Sequence, residues 1–260
     1  MKIDCHMHVQ GKRSQWRRPW DNDKLIEAAD KLGIDKLCCS IPLTTPTPTP
    51  DEVRKCNDDV LDAMKQYPDR ILGYCFVNPG YYREAVVEMK RCIVGHGMIG
   101  VKLYHQYFYS EPAVYPVVEQ AIELNVPILG HAGHATDPAT RARQPRLSDG
   151  SHFAQLAAKY PEATLIEGHI GGGGDWEWSI KAIRCSPNVY LDTSGSVVDE
   201  GMIEMAVREL GAERLLFGTD MTMEGGVGKI LGADLTDAQR EMIFYRNMSG
   251  ILERRSGFSI

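Results

Sequence analysis

Ile3-Asp4-Cys5-His6-Met7-His8 is a short, largely apolar run that closes on two histidines, and the same grammar returns along the chain. Val126-Pro127-Ile128-Leu129-Gly130 leads into His131, Ala163-Thr164-Leu165-Ile166-Glu167-Gly168 into His169, and Arg214-Leu215-Leu216-Phe217-Gly218-Thr219 into Asp220. Met98-Ile99-Gly100-Val101 leads into Lys102. Each run has the length and content of a buried strand. Polar ligand types therefore recur at the downstream ends of strands that lie tens of residues apart. A (β/α)8 barrel builds a metal site in this way, from several strands at one face.

The segments between these runs read as helices. Asp21-Asn22-Asp23 opens one whose apolar positions Leu25, Ile26, Ala29 and Leu32 keep helical spacing until Gly33. Thr49-Pro50-Asp51-Glu52 is a capping box with proline at the first helical position, and Thr236-Asp237-Ala238-Gln239 caps the last long helix. Strand and helix alternate eight times, with no repeat, linker or shift of composition. The fold expected is a single (β/α)8 barrel over residues 1–260, with local distortion allowed. An open, doubly wound sheet would alternate in the same way but would not gather ligand types at the ends of strands one, five, six and eight.

Composition narrows the class further. A chain of 260 residues can bury a large core without disulfides, and its seven cysteines form no Cys-x-x-Cys pair. They read as packing residues of a reduced protein. The first strand begins within three residues of the start and no stretch is apolar enough to span a bilayer, so a soluble, cytoplasmic protein is expected. The formal net charge of −6 argues against nucleic acid or an anionic membrane as partner.

Alternation along a strand places side chains in the barrel. His6 and His8, two apart, should share the interior side while Ile3 and Cys5 take the other. On strand four, Ile99, Val101 and Leu103 should face the helices, and Gly100, Lys102 and Tyr104 the interior. A buried ammonium needs a partner or a chemical change, because an unpaired charge there is too costly.

The segments Ile3-Asp4-Cys5-His6-Met7-His8, Gly130-His131, Gly168-His169-Ile170-Gly171-Gly172, Leu191-Asp192-Thr193-Ser194 and Phe217-Gly218-Thr219-Asp220 together resemble the amidohydrolase superfamily, in its amidohydrolase-related branch of short barrels. Asn247-Met248-Ser249-Gly250-Ile251-Leu252 is similar to that branch's usual ending, so the likeness runs from end to end. The resemblance implies a divalent metal, most often zinc, on His6, His8, His131 and Asp220, with His169 on a second metal or orienting substrate and water. Lys102 stands where binuclear members carry a carboxylated bridging ligand. Otherwise it is an ammonium paired with Asp4, Glu167 or Asp220, and this single-metal arrangement is the one expected. His131-Ala132-Gly133-His134 adds a histidine that the pattern does not explain.

A metal with open coordination turns bound water into hydroxide near neutral pH and polarises a carbonyl. With Asp220 as general base and His169 donating to the oxyanion, hydrolysis of an amide, ester or lactone is the leading expectation. The same branch also contains nonoxidative decarboxylases, which are the alternative. An alternative of another class is a barrel that binds metal or an organic acid without turnover.

Two loops suggest the substrate. Lys12, Arg13, Arg17 and Arg18 follow strand one, and Arg141, Arg143 and Arg146 follow strand five, both on the catalytic face. Local positive charge on an acidic protein favours a small anionic substrate held through bidentate arginines. Arg13, Arg17, Arg18, Tyr104, His134 and Arg143 are its expected contacts. Trp16, Trp20, Tyr107, Phe108 and Tyr109 fall on the same loops and suit a ring. A homodimer is compatible with this reading.

Overall fold

The computed structural model describes residues 1–13, 21–195 and 197–254. Eight parallel strands run in chain order around one sheet: β1 (Ile3–His8), β2 (Lys36–Ser40), β3 (Ile71–Phe76), β4 (Gly100–Leu103), β5 (Ile128–His131), β6 (Leu165–Gly168), β7 (Val189–Asp192) and β8 (Leu215–Leu216). The seam between the last strand and the first is closed by Cys5 N–H to Phe217 O at 2.8 Å and Asp220 N–H to His6 O at 2.8 Å. This is a (β/α)8 barrel, and the second bond ties the first histidine to the terminal aspartate.

Local chemistry sets the helices that wrap it. Asp21 caps α1 (Asn22–Leu32) and left-handed Gly33 ends it. Thr49 and Glu52 complete the capping box of α2 (Pro50–Gln66). α3 (Tyr82–Met89) passes into a π-helical turn, Lys90–Gly95, before β4. α4 (Tyr115–Glu123) precedes β5. The arginine-rich loop after β5 contains a short helix, α5 (Pro138–Arg143), capped by Asp137. α6 (Gly150–Lys159), α7 (Trp176–Ala182) and α8 (Met202–Leu210) follow. A further helix that the pattern did not announce, α9 (Met223–Gly232), comes directly after the strand-eight aspartate. α10 (Asp237–Glu241) and α11 (Asn247–Glu253) flank a second π-helical turn.

Two apolar layers result. The outer one packs Leu37, Cys39, Ile71, Val101, Leu103, Leu165, Leu191 and Phe217 against the helices. The inner one joins Ile3, Cys5, Cys38, Tyr74, Leu129, Ile166 and Leu216 to Met248, Ile251 and Leu252 of α11. Six cysteines are buried in these layers and Cys185 is exposed; all seven are free.

Simple alternation fails on β1. The pairing with β2 slips between Asp4 and Met7, so Ile3 and Cys5 join the inner layer while His6 and His8 also face inward. Such a bulge adds a residue to one strand and shifts its phase. Asp4 consequently turns to the outer side, where it receives Thr219 N–H at 3.1 Å. Ile99 likewise belongs to the inner layer, not to the helix-facing one. Among the described residues no helix is long and apolar enough to cross a membrane.

Candidate metal centre

The strand ends bring His6, His8, Lys102, His131, His169 and Asp220 to one end of the barrel. His6 is fully buried and both ring nitrogens are used. Nδ1 donates to Asp192 Oδ2 at 2.6 Å, and Nε2 accepts from Lys102 Nζ at 2.7 Å. Burial, then the nearby Lys102 charge, pulls the His6 pKa down to about 3. At neutral pH it is therefore a neutral ring with its lone pair on Nε2.

His8 is oriented by the backbone. Its Nδ1 donates to Ser40 O at 2.9 Å, and its Nε2 faces Asp220 Oδ1 at 3.0 Å. A neutral His8 would then oppose lone pair to lone pair across that gap. Either a proton on the ring or a cation between the groups removes the conflict. Asp220 also lies 4.0 Å from His6 Nε2, and its Oδ2 is 3.6 Å from His169 Nδ1. Burial would raise its pKa, but His169, His8 and His6 hold the carboxyl well below the usual range.

Asp192 supports the cluster from behind. Beyond His6 it accepts His169 N–H at 2.9 Å, Ser194 N–H at 2.8 Å and the Ser194 hydroxyl. Burial pushes its carboxyl up, but His6, His169 and Ser194 outweigh burial and keep it ionised. A carboxylate on the far nitrogen of a ligating histidine fixes the tautomer and raises the ring's basicity. Backbone strain gathers at the same place, with positive φ at His169 (71°), Asp220 (45°) and Met221 (75°).

Among the described residues two groups could hold a metal ion, His6–His8–Asp220 and His6–His169–Asp192, each with ligand atoms within 4.8 Å of one another. The first fits better, because Asp192 is already committed to His6 and Ser194. Imidazole nitrogens with their other ring atoms tied down, converging on a carboxylate, suit a divalent cation.

His131 departs from the expected ligand set. Its Nδ1 lies 2.8 Å from His169 Nε2 and its Nε2 lies 2.9 Å from Gln144 Oε1, so it stands behind His169 and outside both groups. Tyr104 covers it, the two ring centroids 4.3 Å apart. Of the three counter-ions expected for Lys102, Asp220 stays and the other two lie elsewhere. Asp4 is on the outer side of the bulge. Glu167 adjoins Leu165 in strand parity and lies under Gly150 of α6, with both carboxylate oxygens unpartnered. Burial lowers the Lys102 pKa to about 8, and Asp220 and Asp192 are the carboxylates that oppose it.

Among the described residues the loop arginines do not gather beside the converging side chains. Arg13 Nη1 is held by Asp59 at 3.1 Å and Asp62 at 2.5 Å, both from α2, so its charge is spent away from the metal ligands. Arg17 and Arg18, with Trp16 and Trp20, lie outside the described residues. Arg143 is exposed and bonds Thr140 Oγ1 at 3.3 Å. Arg146 lies over the Tyr107 ring at 5.2 Å. His134 donates to Asp149 at 2.9 Å and packs beside Trp178, apart from the converging ligands. Asp192, Ser194 and Gln144 were given no role from sequence. A polar residue two positions beyond an apolar strand, as in Leu191-Asp192-Thr193-Ser194, is the signal that could have found the first two.

A model of the amidohydrolase family matches residues 3–247. A γ-resorcylate decarboxylase of a Polaromonas species is 23% identical over 284 residues, covering 89% of this chain and 87% of that protein. A 2-keto-4-carboxy-3-hexenedioate hydratase of a Sphingobium species is 24% identical over 212 residues, covering 70% of this chain and 60% of the other. A solved dihydroxybenzoic acid decarboxylase from a Polaromonas species, with bound manganese and the inhibitor 2-nitroresorcinol, superposes with a TM-score of 0.76 at 17% identity, over 99% of this chain and 100% of that one. These relatives correct the expectation of amide, ester or lactone hydrolysis. A metal-binding group beside a carboxylate would serve decarboxylation as well as attack by water, so the strand-end residues do not by themselves name the bond that breaks.

Proposed function

Because the chain belongs to the amidohydrolase family, as the match over residues 3–247 shows, we propose that it is a metal-dependent nonoxidative decarboxylase of a small hydroxyaryl carboxylic acid. The observation that carries this reading is the combination of a converging His6–His8–Asp220 group with relatives that decarboxylate γ-resorcylate. A divalent ion held by these three residues would supply a Lewis acid for the substrate's oxygens. The ion in the solved Polaromonas relative is manganese, so the zinc expected from sequence has no preference here.

The reaction breaks the bond between ring carbon and carboxylate. Carbon dioxide leaves, and the ring carbon keeps the electron pair and takes a proton. Asp220 is the group suited to deliver that proton, because 31% of its side chain is exposed to the cleft while those of His6, His8 and His169 are at most 7% exposed. It starts ionised, so it must first collect a proton from solvent or from the substrate's hydroxyl. His169, bonded through Nδ1 to Ser194 Oγ at 2.9 Å and facing Asp220, orients that carboxyl. Tyr104 offers a ring face beside His131, and Arg143 a cation from the loop after β5; with Arg17 and Arg18 they are proposed for the substrate's ring and carboxylate.

The test is carbon dioxide release from 2,6-dihydroxybenzoate and related hydroxybenzoates by manganese-loaded protein, run in deuterated water. The product should carry one deuterium on the ring carbon that lost the carboxylate, and Asp220→Asn should abolish both signals. Absence of release from every hydroxyaryl acid, with water added to an unsaturated tricarboxylic keto acid instead, would move the reading to hydration, the activity of the Sphingobium relative.

A further inference from the structure

Lys229 is a buried cation with no acid in contact among the described residues. It lies on α9, only 6% of its surface exposed. Its Nζ donates to Thr193 O at 2.9 Å and Gly195 O at 2.6 Å, the carbonyls on either side of Ser194. Ser194 in turn contacts three groups of the centre: its N–H and hydroxyl go to Asp192, its Oγ lies 2.9 Å from His169 Nδ1, and the same oxygen is 3.4 Å from His6 Nδ1. One ammonium therefore holds the backbone of the residue that links both histidines to their carboxylate.

The other end of the lysine is equally constrained. α9 begins three residues after Asp220, across the turn that carries positive φ at Asp220 and Met221. It presses on the end of the barrel through Gly226, where a Cβ would come within 2.6 Å of Thr219 Cγ2. Only glycine allows that approach without displacing Thr219 or the helix. The helix that clamps Ser194 is thus locked to the residue preceding Asp220. A strand-seven loop and a strand-eight aspartate, otherwise independent, are held in register by one side chain.

We infer that Lys229 is a positioning residue of the metal centre, fixing Ser194 and Asp192 relative to Asp220 and so aiming His6 at the ion. Burial lowers its pKa and Asp192 raises it, so its charge also compensates the buried Asp192 carboxylate. The inference rests on the reading of the cluster as a metal centre and does not depend on the reaction.

Lys229→Met keeps the aliphatic stem and removes the ammonium. With Mn²⁺ alone as probe, free ion measured by its electron paramagnetic resonance signal, the folded variant should bind about tenfold more weakly than wild type, at the low end for an outer partner of a ligating histidine. Ser194→Ala should show a similar loss, and the double variant should lose less than the sum of the two, since both act largely through one link. Lys229→Gln, which retains a donor for one carbonyl, should recover part of the affinity and takes the place of Lys229→Met if that variant does not fold. A folded Lys229 variant with wild-type Mn²⁺ affinity would overturn the inference, as would additive losses in the double variant. Wild-type protein that binds no Mn²⁺ would instead overturn the metal-centre reading.

Discussion

Asp192→Asn changes one atom at the base of the centre and should disable it through a histidine tautomer. Asp192 is fully buried and its two oxygens serve four donors: His6 Nδ1, His169 N–H, Ser194 N–H and the Ser194 hydroxyl. An amide offers one oxygen and one NH₂. If the oxygen stays on His6, the NH₂ meets two backbone N–H groups and a hydroxyl, and the two amides are left unsatisfied at about 1–3 kcal/mol each. If the amide turns over, its oxygen serves those donors and its NH₂ faces His6 Nδ1, which must then accept. The second arrangement strands fewer groups, but it moves the proton of His6 to Nε2. That nitrogen faces Asp220 and Lys102, so the metal-binding lone pair is lost. Metal affinity should fall by about 10–100-fold. At a concentration 100 times the wild-type Kd, Mn²⁺ stabilises wild type by about 2.7 kcal/mol, and a 100-fold weaker variant gains only about 0.4 kcal/mol. Thermal unfolding with and without Mn²⁺ reads that difference directly, and a free-ion titration checks it. An Asp192→Asn protein that gains as much from Mn²⁺ as wild type would refute the tautomer argument.

Lys102 sits on the lone pair of His6 at 2.7 Å and competes with a cation for it; Lys102→Met should therefore bind one Mn²⁺ per chain at least as tightly as wild type. A fall from two ions to one in metal analysis would instead identify a bridging carboxylated lysine. Buried Glu88 accepts from Asn57 at 2.9 Å and from Arg91 at 2.6 Å, and although burial raises its pKa, these partners bring it below the ordinary value. A depressed carboxylate contributes stability above its unfolded pKa and loses it as pH falls through the folded one; Glu88→Gln should cost about 1–3 kcal/mol at pH 7, a gap that closes in urea unfolding below about pH 4. Persistence of the full gap at pH 2 would show that the loss is packing and not charge.

The strand-end ligands were legible because a parallel barrel sends every strand's downstream end to the same face, so runs far apart in sequence must meet. The bulge in β1 was not, since a slip between Asp4 and Met7 leaves no mark in composition and reverses the side on which Asp4 falls. Arg13 misled for a related reason. Asp59 and Asp62, which hold Arg13, are 46 and 49 residues away on α2, and local absence of acids says nothing about acids brought by the fold. α9 was hidden by Gly225, Gly226, Gly228 and Gly232, which lower intrinsic helix propensity; tertiary contact with Thr219 requires at least one of them. The position of His131 depends on Gln144 and His169, neither of which its own strand specifies.

The sorting of carboxyl groups between the two faces of the barrel wall bears on what the centre attracts. Asp4 and Glu167 lie on the outer face, where burial raises Asp4 to about 8 and Glu167 well above its usual value. Asp4 is therefore mostly neutral at pH 7, and Glu167 is shifted in the same direction. Asp192 and Asp220 lie on the inner face and stay ionised, held by hydrogen bonds and neighbouring rings. Burial leaves Lys102 with a pKa of about 8, so it is mostly an ammonium. Asp192 and Asp220 thus outnumber the Lys102 ammonium two to one, a balance that favours a cation over an anion. A divalent ion would shift that balance by two positive charges, toward a monoanion such as the aryl carboxylate proposed as substrate. The aryl carboxylate proposed as substrate should therefore bind more tightly to the metal-loaded protein than to the metal-free one.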